Sequence, residues 1–442
     1  MLFRKKDLAG LILPLLLEQI IMGTIGMADM LMVASAGEAA VSGISLIDSI
    51  NMLFQSMFSA LATGGTIICT QYMGKGEPGQ ANFAAKHLLA FSAVFSIGIF
   101  VLCFLFRFQI LNGLYGTAEE AVLREAMTYF YFSMASYPFL MLLDCCSAAF
   151  RAMGNARLPF VVTFLMSMIN IALNAVFIFG YGWGVFGAGL ATMIARIVSS
   201  FALFGLLWKS RGVISARSFV GTGWEFDMVK NILRLALPTG LEDSIFHIGK
   251  LLVQGVVTSF GTAAIAANAV ALTVSEFTHM PGYAIGLSLL TVVGRCAGAR
   301  EYAQAEHYIK WIGALSLAIT CLAAILSAIF AGPIAELYHL SAGTEDTAVA
   351  LMRWQALACA LVWVLAFNIP DALRAASDVR FTMTVSLLSM WIFRVGFSYI
   401  FRAFLDIGVV CVWFAMFLDW TFRAAVFTWR LKSGKWKEKM FL

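Results

Sequence analysis

The sequence predicts an all-α polytopic membrane protein with twelve transmembrane helices in two six-helix lobes. Three observations support this fold class. The 442-residue chain is 61% hydrophobic and only 12% charged, apolar runs of about 20 residues recur along it, and its two halves resemble each other. Soluble domains do not have such a composition, and only helices or closed barrels satisfy their backbone polar groups inside a bilayer.

The apolar runs, separated by charged or glycine-rich breaks, predict where the helices lie. The basic start at Arg4, Lys5 and Lys6 precedes a run that is too long for a signal peptide and contains acids, so we expect this run to remain as the first transmembrane helix. The twelve expected spans are 9–34, 44–70, 84–106, 124–150, 158–181, 186–209, 229–257, 263–294, 308–331, 346–370, 381–401 and 406–430.

The distribution of basic residues predicts that both termini face the cytoplasm. With that orientation, only Arg107, Arg124 and Arg402 fall in extracellular segments, whereas the cytoplasmic segments contain most of the other lysines and arginines. This bias is the positive-inside rule. It also supports an even number of helices, because a wrong number would destroy the alternation.

An internal repeat relates the two halves. Aligning Pro14 with Pro238 without a gap places Glu18 on Glu242, and the match continues for more than sixty residues. Because each half contains an even number of helices, both halves enter the membrane in the same direction and form a parallel repeat. We therefore expect an N-lobe at 1–209, a cytoplasmic linker at 210–228 and a C-lobe at 229–442, with a central cleft between the lobes.

The repeat fails at a polar set that only the first half contains. Asp29 aligns with Val253, and Asn170 and Asn174, which share a face of the fifth helix because they are four residues apart, align with phenylalanines. Thr192 on the sixth helix could add a hydroxyl. Such oxygens suit a hard cation, and an aspartate in a dry pocket could equally hold a proton. The sequence therefore predicts a Na⁺ or H⁺ site. The alternative is that the asparagines join helices by hydrogen bonds while Asp29 borders a water-filled cleft.

Six further ionisable residues are candidates for ion pairs or for a cavity lining: Glu18, Glu242, Asp243, Lys250, Glu276 and Arg394. We expect Lys250 to pair with Asp243, Glu242 or Glu276; alternatively it lines a cavity and favours anionic or zwitterionic cargo. Arg394 makes the interior of the second lobe more basic than that of the first. Glu18 and Glu242 each follow a proline, which favours a shared structural role, such as accepting hydrogen bonds from the backbone freed by that proline, over proton transfer.

Several motifs together resemble one known family. They are "MADMLMVASAGEAAVSGISL" after the first helix, "GTIICTQYMGKGEPGQA" at the end of the second, "RAMGNARLPFVVTFLMSMINIALNAVFIFGYGWGVFGAGLATMIAR" across the fifth and sixth, and "ALRAASDVRF" in the second half. Over essentially its whole length the chain resembles the multidrug and toxic compound extrusion (MATE) family of antiporters. The resemblance implies two lobes that alternate access, and a cation pocket at Asp29, Asn170, Asn174 and Thr192.

The chain departs from the family pattern at two positions. Some relatives carry a second carboxylate near the position of Asn174, so the charge of the pocket here rests on Asp29. Another branch has an acid deep in the seventh helix, where this chain has Lys250 and carries its acids earlier, at Glu242 and Asp243. The resemblance therefore leaves both Na⁺ and H⁺ open as the coupling ion.

The function expected from the sequence is a secondary active efflux antiporter of the cell membrane. The alternative is a lipid-linked saccharide flippase of the same superfamily. No P-loop, HExxH or GxSxG motif occurs, so we do not expect an enzyme. The expected partners are an amphipathic small-molecule substrate and the lipid bilayer, without nucleic acid. We expect a monomer, and no cofactor beyond the coupling ion.

Overall fold

The computed structural model describes residues 2–35, 37–115, 119–219, 225–338, 341–405 and 407–439, and these residues form helices and no strand. Short helices at Ala216–Phe219, Ala331–Leu337 and Lys435–Lys439 accompany twelve long ones. The long helices are α1 (Lys5–Ala34), α2 (Glu38–Lys75), α3 (Pro78–Tyr115), α4 (Glu120–Ala152), α5 (Arg157–Gly180), α6 (Gly184–Lys209), α7 (Phe226–Thr258), α8 (Thr262–Gly298), α9 (Tyr302–Ile329), α10 (Gly343–Ala375), α11 (Val379–Phe404) and α12 (Val410–Lys432).

Each of the twelve predicted spans coincides with one long helix, so the predicted fold class is confirmed. Within the described ranges, ten of these helices are long and apolar enough to cross a membrane. The other two, α1 and α7, contain 30 and 33 residues, which exceeds the roughly 20 residues that a span requires. In α7 the apolar sequence is interrupted by charged residues, among them Glu242, Asp243 and Lys250.

The chain divides into two compact units. The N-terminal unit is Lys5–Leu237, and the C-terminal unit combines Met1–Arg4 with Pro238–Leu442, so the division falls inside α7. The connection after α6 belongs to the N-terminal unit, because the backbone N–H groups of Ser215 and Glu225 donate to Asn82 and His87 on α3, each over 2.9 Å. The lobes expected at 1–209 and 229–442 stay a prediction.

Equivalent helices pack together in the two units. In the N-terminal unit, α2 packs on α3 and α4, and α4 packs on α6; in the C-terminal unit, α8 packs on α9 and α10, and α10 packs on α12. Small residues allow close approach at these contacts. A Cβ atom on Gly43 of α2 would lie 2.8 Å from the backbone nitrogen of Ala126 on α4. The sequence repeat is thus also a repeat of helix packing.

The repeat is visible in the backbone of the connections as well. Four left-handed positions in the first half are matched by left-handed positions 223 or 224 residues later: Gly37 and Gly261, Gly76 and Arg300, Gly154 and Ser377, and Gly184 and Gly408. Residues with a Cβ atom rarely adopt this conformation. Arg300 has φ 57° where its counterpart Gly76 has φ 81°, so the turn is the same although the residue differs.

We predict that Arg300→Gly stabilises the protein by up to about 1 kcal/mol, because glycine has no Cβ atom to disfavour positive φ. Thermal unfolding of the purified protein in detergent, followed by tryptophan fluorescence, measures the effect. Arg300→Ala is the matched control, because it also removes the guanidinium but keeps the Cβ atom. Equal melting temperatures for the two variants would contradict backbone strain at this turn.

Candidate functional site

Asn170 and Asn174 lie where the α-helical part of α5 ends. The helix continues directly as a π-helical segment, Ala175–Gly180, and such segments occur frequently at functional sites. Both asparagine side chains are buried, with 7% and 2% of their surface exposed. Buried amides require hydrogen-bond partners, so the partners of these two side chains define the site.

Three of the four residues of the predicted cation site form a hydrogen-bonded chain. Asn174 Nδ2 donates to Asn170 Oδ1 over 3.4 Å, and Asn170 Nδ2 donates to Thr192 Oγ1 over 3.1 Å. The Thr192 hydroxyl in turn donates to the Ala188 carbonyl on α6 over 3.0 Å. Asp29, the fourth residue, lies on α1, which packs on α5, but its side chain is outside the described part of the structure.

A second polar cluster of the N-terminal unit is not among the residues predicted from the sequence. Tyr137 donates its hydroxyl to Asn51 Oδ1 over 2.9 Å, and Asn51 Nδ2 donates to Asp48 Oδ1 over 3.2 Å. Arg196 donates to the hydroxyl of Ser136 over 2.6 Å. The repeat contained a signal for this cluster, because Asp48 aligns with an apolar residue of the second half, Leu272, just as Asp29 does with Val253.

Glu242 forms a buried ion pair instead of the expected bond to backbone near Pro238. Its Oε1 atom lies 2.7 Å from Arg374 Nη2, and the same guanidinium pairs through Nη1 with Asp371 Oδ1 over 2.8 Å. A charged guanidinium forms a stronger bond to carboxylate than a neutral backbone amide does. The expected partner was therefore wrong, and Glu242 joins α7 to α10.

The two glutamates that the repeat relates have different partners. Glu18, on α1, accepts a long hydrogen bond from Thr163 Oγ1 at 3.5 Å, whereas Glu242 binds a guanidinium. Asp243, the neighbour of Glu242, is half-buried and forms no ion pair within 4.0 Å among the described residues. The shared role expected for Glu18 and Glu242 is thus not reflected in shared contacts.

Arg394 and Arg423 share one carboxylate inside the C-terminal unit. Arg394 Nε lies 3.1 Å from Asp419 Oδ2, and Arg423 Nε lies 2.7 Å from Asp419 Oδ1. Asp419 has no exposed surface, and its Oδ1 atom also accepts a short hydrogen bond from Ser389 Oγ. Two buried guanidiniums and one carboxylate leave positive charge in excess on this side of α11 and α12.

The ion pair expected for Lys250 is absent from the described part of the chain. No carboxylate there lies within 4.0 Å of its ammonium, which instead lies 5.4 Å from the centroid of the Phe246 ring. Glu242 is occupied by Arg374, and Asp243 is seven residues from Lys250, a rise of about 10 Å along the helix. The alternative interpretation of Lys250, as a residue that lines a cavity, fits these contacts.

Lys250, Glu276 and Arg394 line one recess of about 180 Å³ within the C-terminal unit. Lys250 and Glu276 are exposed, whereas Arg394 is buried. The recess lies between α7, α8, α11 and α12, and most of its remaining wall is apolar. The apolar lining residues are Val253, Val257, Leu272, Val412, Trp413 and Met416.

Comparison with known proteins decides the family. The MatE family model matches residues 14–176 and, a second time, residues 238–400, so both segments begin at the prolines that the internal repeat aligns. The chain belongs to the MatE family. Members of this family are membrane efflux transporters and not enzymes. The MatE assignment and the many spanning helices make this chain a multi-pass membrane transporter.

Similar proteins cover nearly the whole of this MatE chain. The probable multidrug resistance protein NorM of Thermotoga maritima is 24% identical over 99% of the chain and 94% of its own length. A structure described as the outward-facing conformation of a multidrug resistance MATE family transporter has a TM-score of 0.92 at 20% identity, covering 98% and 97% of the two chains.

The structure of a MOP superfamily transporter from Pyrococcus furiosus has a TM-score of 0.90 at 20% identity. The match covers 98% of this MatE chain and 96% of that chain. That transporter is described as having a binding pocket of reverse polarity, which suggests a different function. At these identities the likeness to both structures establishes the fold alone. That fold agrees with the two-lobed arrangement predicted from the sequence.

We predict that Asp419→Asn lowers the free energy of unfolding by about 3–5 kcal/mol, because it leaves two buried guanidiniums without a counter-charge. Glu120→Gln is the control: Glu120 pairs with Arg124 at 3.5 Å on the surface, and such pairs contribute about 0–1 kcal/mol. Denaturant titration of both variants in detergent gives the comparison. Similar losses in the two variants would mean that Asp419 is not the centre of this network.

Proposed function

We propose that this MatE protein is a secondary active antiporter that exports amphipathic small molecules in exchange for Na⁺ or H⁺. The observation that carries the proposal is the hydrogen-bonded chain of the buried Asn174 and Asn170 and the half-buried Thr192 on α5 and α6, beside the helix that carries Asp29. Relatives described as multidrug resistance proteins support small-molecule cargo and do not favour the flippase alternative. We further propose that both termini are cytoplasmic and that the monomer transports.

In this mechanism Asp29 supplies the charge of the coupling site. An ionised carboxylate inside a membrane helix is costly, and a bound cation removes most of that cost. The cation therefore favours the conformation in which the site is closed to water. Cargo favours the opposite conformation, and a ligand can shift such an equilibrium only by its difference in affinity for the two states. Exchange follows because each ligand promotes the conformation that releases the other.

The amides distinguish the two possible coupling ions. Na⁺ requires several oxygen ligands, which the Asn170 and Asn174 side chains and the Thr192 hydroxyl provide together with Asp29. A proton requires only the carboxylate. Removing an amide oxygen is therefore expected to weaken Na⁺ coupling much more than H⁺ coupling.

We predict that Asp29→Asn abolishes gradient-driven transport while the protein still inserts and folds. The measurement is dye movement in proteoliposomes with a Na⁺ or H⁺ gradient imposed separately, using a panel of cationic, zwitterionic and anionic dyes. Glu120→Gln, which removes a surface carboxylate, is expected to transport like the unmodified protein. Undiminished gradient-dependent transport by Asp29→Asn would refute the proposal.

The same proteoliposomes identify the ion. If Na⁺ couples transport, Asn170→Ala raises the Na⁺ concentration needed for half-maximal transport by about tenfold or more, the effect of losing one ligand interaction of about 1.4 kcal/mol. If H⁺ couples transport, Asn170→Ala leaves the dependence on the proton gradient within about twofold. Loss of transport under both gradients, with the melting temperature unchanged, would contradict this assignment of roles.

A further inference from the structure

We propose that the recess around Lys250 and Arg394 binds an oxyanion of the cargo, such as a carboxylate, so that the exported amphiphile is anionic or zwitterionic. This inference rests on the proposed transport function and names the cargo class. It assigns a ligand to a cavity that lies entirely within the C-terminal unit. This cavity is a different site from the cluster of Asn170, Asn174 and Thr192.

Positive charge is in excess beside the recess. Lys250 Nζ lies 5.4 Å from the centroid of the Phe246 ring, and the Cζ atoms of Arg394 and Arg423 each lie 5.2 Å from it. One ring is thus surrounded by three cations. In the described ranges, Asp419 is the carboxylate that pairs with two of them, and the third has none within 4.0 Å. Arg394 and Arg423 are buried, and buried cations together with an unpaired ammonium attract an anion.

Arg394 and Lys250 supply the recess with hydrogen-bond donors. A guanidinium has five N–H groups, and Arg394 Nε lies 3.1 Å from Asp419 Oδ2 without forming a hydrogen bond to it. Its two terminal nitrogens donate no hydrogen bond to the described residues. The ammonium of Lys250 contributes three more donors, and this exposed residue lines the recess. These donors can surround a carboxylate without disturbing the existing ion pairs.

The rest of the wall combines one acid with apolar side chains. Glu276, exposed on α8, lines the same recess and forms no ion pair within 4.0 Å among the residues described. An acid and a base that share a cavity without touching can each pair with the opposite charge of a zwitterion. The apolar side chains of Val257, Leu272 and Met416 would contact the hydrophobic part of such a ligand.

The repeat supports a function specific to the second half. Lys250 aligns with Gly26, and Arg394 aligns with Ile171. These basic side chains therefore have no charged counterparts in the first half and are not part of the common scaffold. Because Lys250 is exposed and has no ion pair to lose, substituting it is compatible with folding, which makes it the residue to test.

The test compares rhodamine B, which carries a free carboxylate, with its ethyl ester, which has the same ring system without that charge. Fluorescence anisotropy with the purified full-length protein in detergent gives the dissociation constant of each dye. We expect rhodamine B to bind more tightly than the ester. We expect Lys250→Gln to weaken rhodamine B binding by about tenfold or more, as losing a charge-assisted hydrogen bond does, and to change ester binding less than twofold.

Two controls define the outcome. Lys250→Arg, which keeps the charge, is expected to retain the preference for rhodamine B, and Lys310→Gln, which removes a lysine from α9, is expected to bind both dyes like the unmodified protein. Equal effects of Lys250→Gln on the two dyes, or no effect on either, would overturn the proposal. Because dye binding is measured without an ion gradient, the result of this experiment is independent of whether Asp29 couples transport.

Discussion

The structure depends on the pairing of charged side chains inside its membrane helices. An ionised side chain at the centre of a membrane helix costs about 2.5–3.5 kcal/mol even by the lower measures, so each one needs a partner or water. In the C-terminal unit the partners lie on different elements: Glu242 on α7 pairs with Arg374 on α10, Arg394 on α11 with Asp419 on α12, and Asp378 before α11 with Arg430 on α12. These pairs join α7 to α10 and α11 to α12.

The two halves share a backbone and differ in interior chemistry. The packing of α2 on α4 recurs as that of α8 on α10, and the left-handed turn at Gly76 recurs at Arg300. The side chains at the centre of the two bundles differ. The positions of Asn170 and Asn174 are occupied in the second half by Phe393 and Phe397, whose rings stack with centroids 5.7 Å apart. A common scaffold thus carries different interior side chains in the two halves.

The sequence predicts features that depend on residues close together along the chain, and it does not predict contacts between residues far apart along the chain. The lengths of the apolar runs predict all twelve helices. The four-residue spacing of Asn170 and Asn174 predicts that their amides are neighbours on one helix. Both signals are local in the sequence. The partner of Glu242 is 132 residues away along the chain, and choosing Arg374 over Lys250 requires the packing of α7 against α10. Asp48, like Asp29, has an apolar counterpart in the second half, so the repeat predicts it as a candidate. Its bond to Asn51, and the bond from Tyr137 of α4 to Asn51, depend on the folded helices.

The proposed cation and anion sites together have a consequence for energetics. Export of a monovalent cation in exchange for one Na⁺ or H⁺ moves no net charge, so the membrane potential contributes nothing. Export of a monoanion in the same exchange moves one positive charge inward and one negative charge outward. Both movements are favoured when the inside is negative, by about 2.3 kcal/mol per charge for each 100 mV, or about 4.6 kcal/mol per cycle. Under the two proposals, a basic recess in the C-terminal unit would allow one coupling ion to export anionic cargo against a much steeper gradient than cationic cargo.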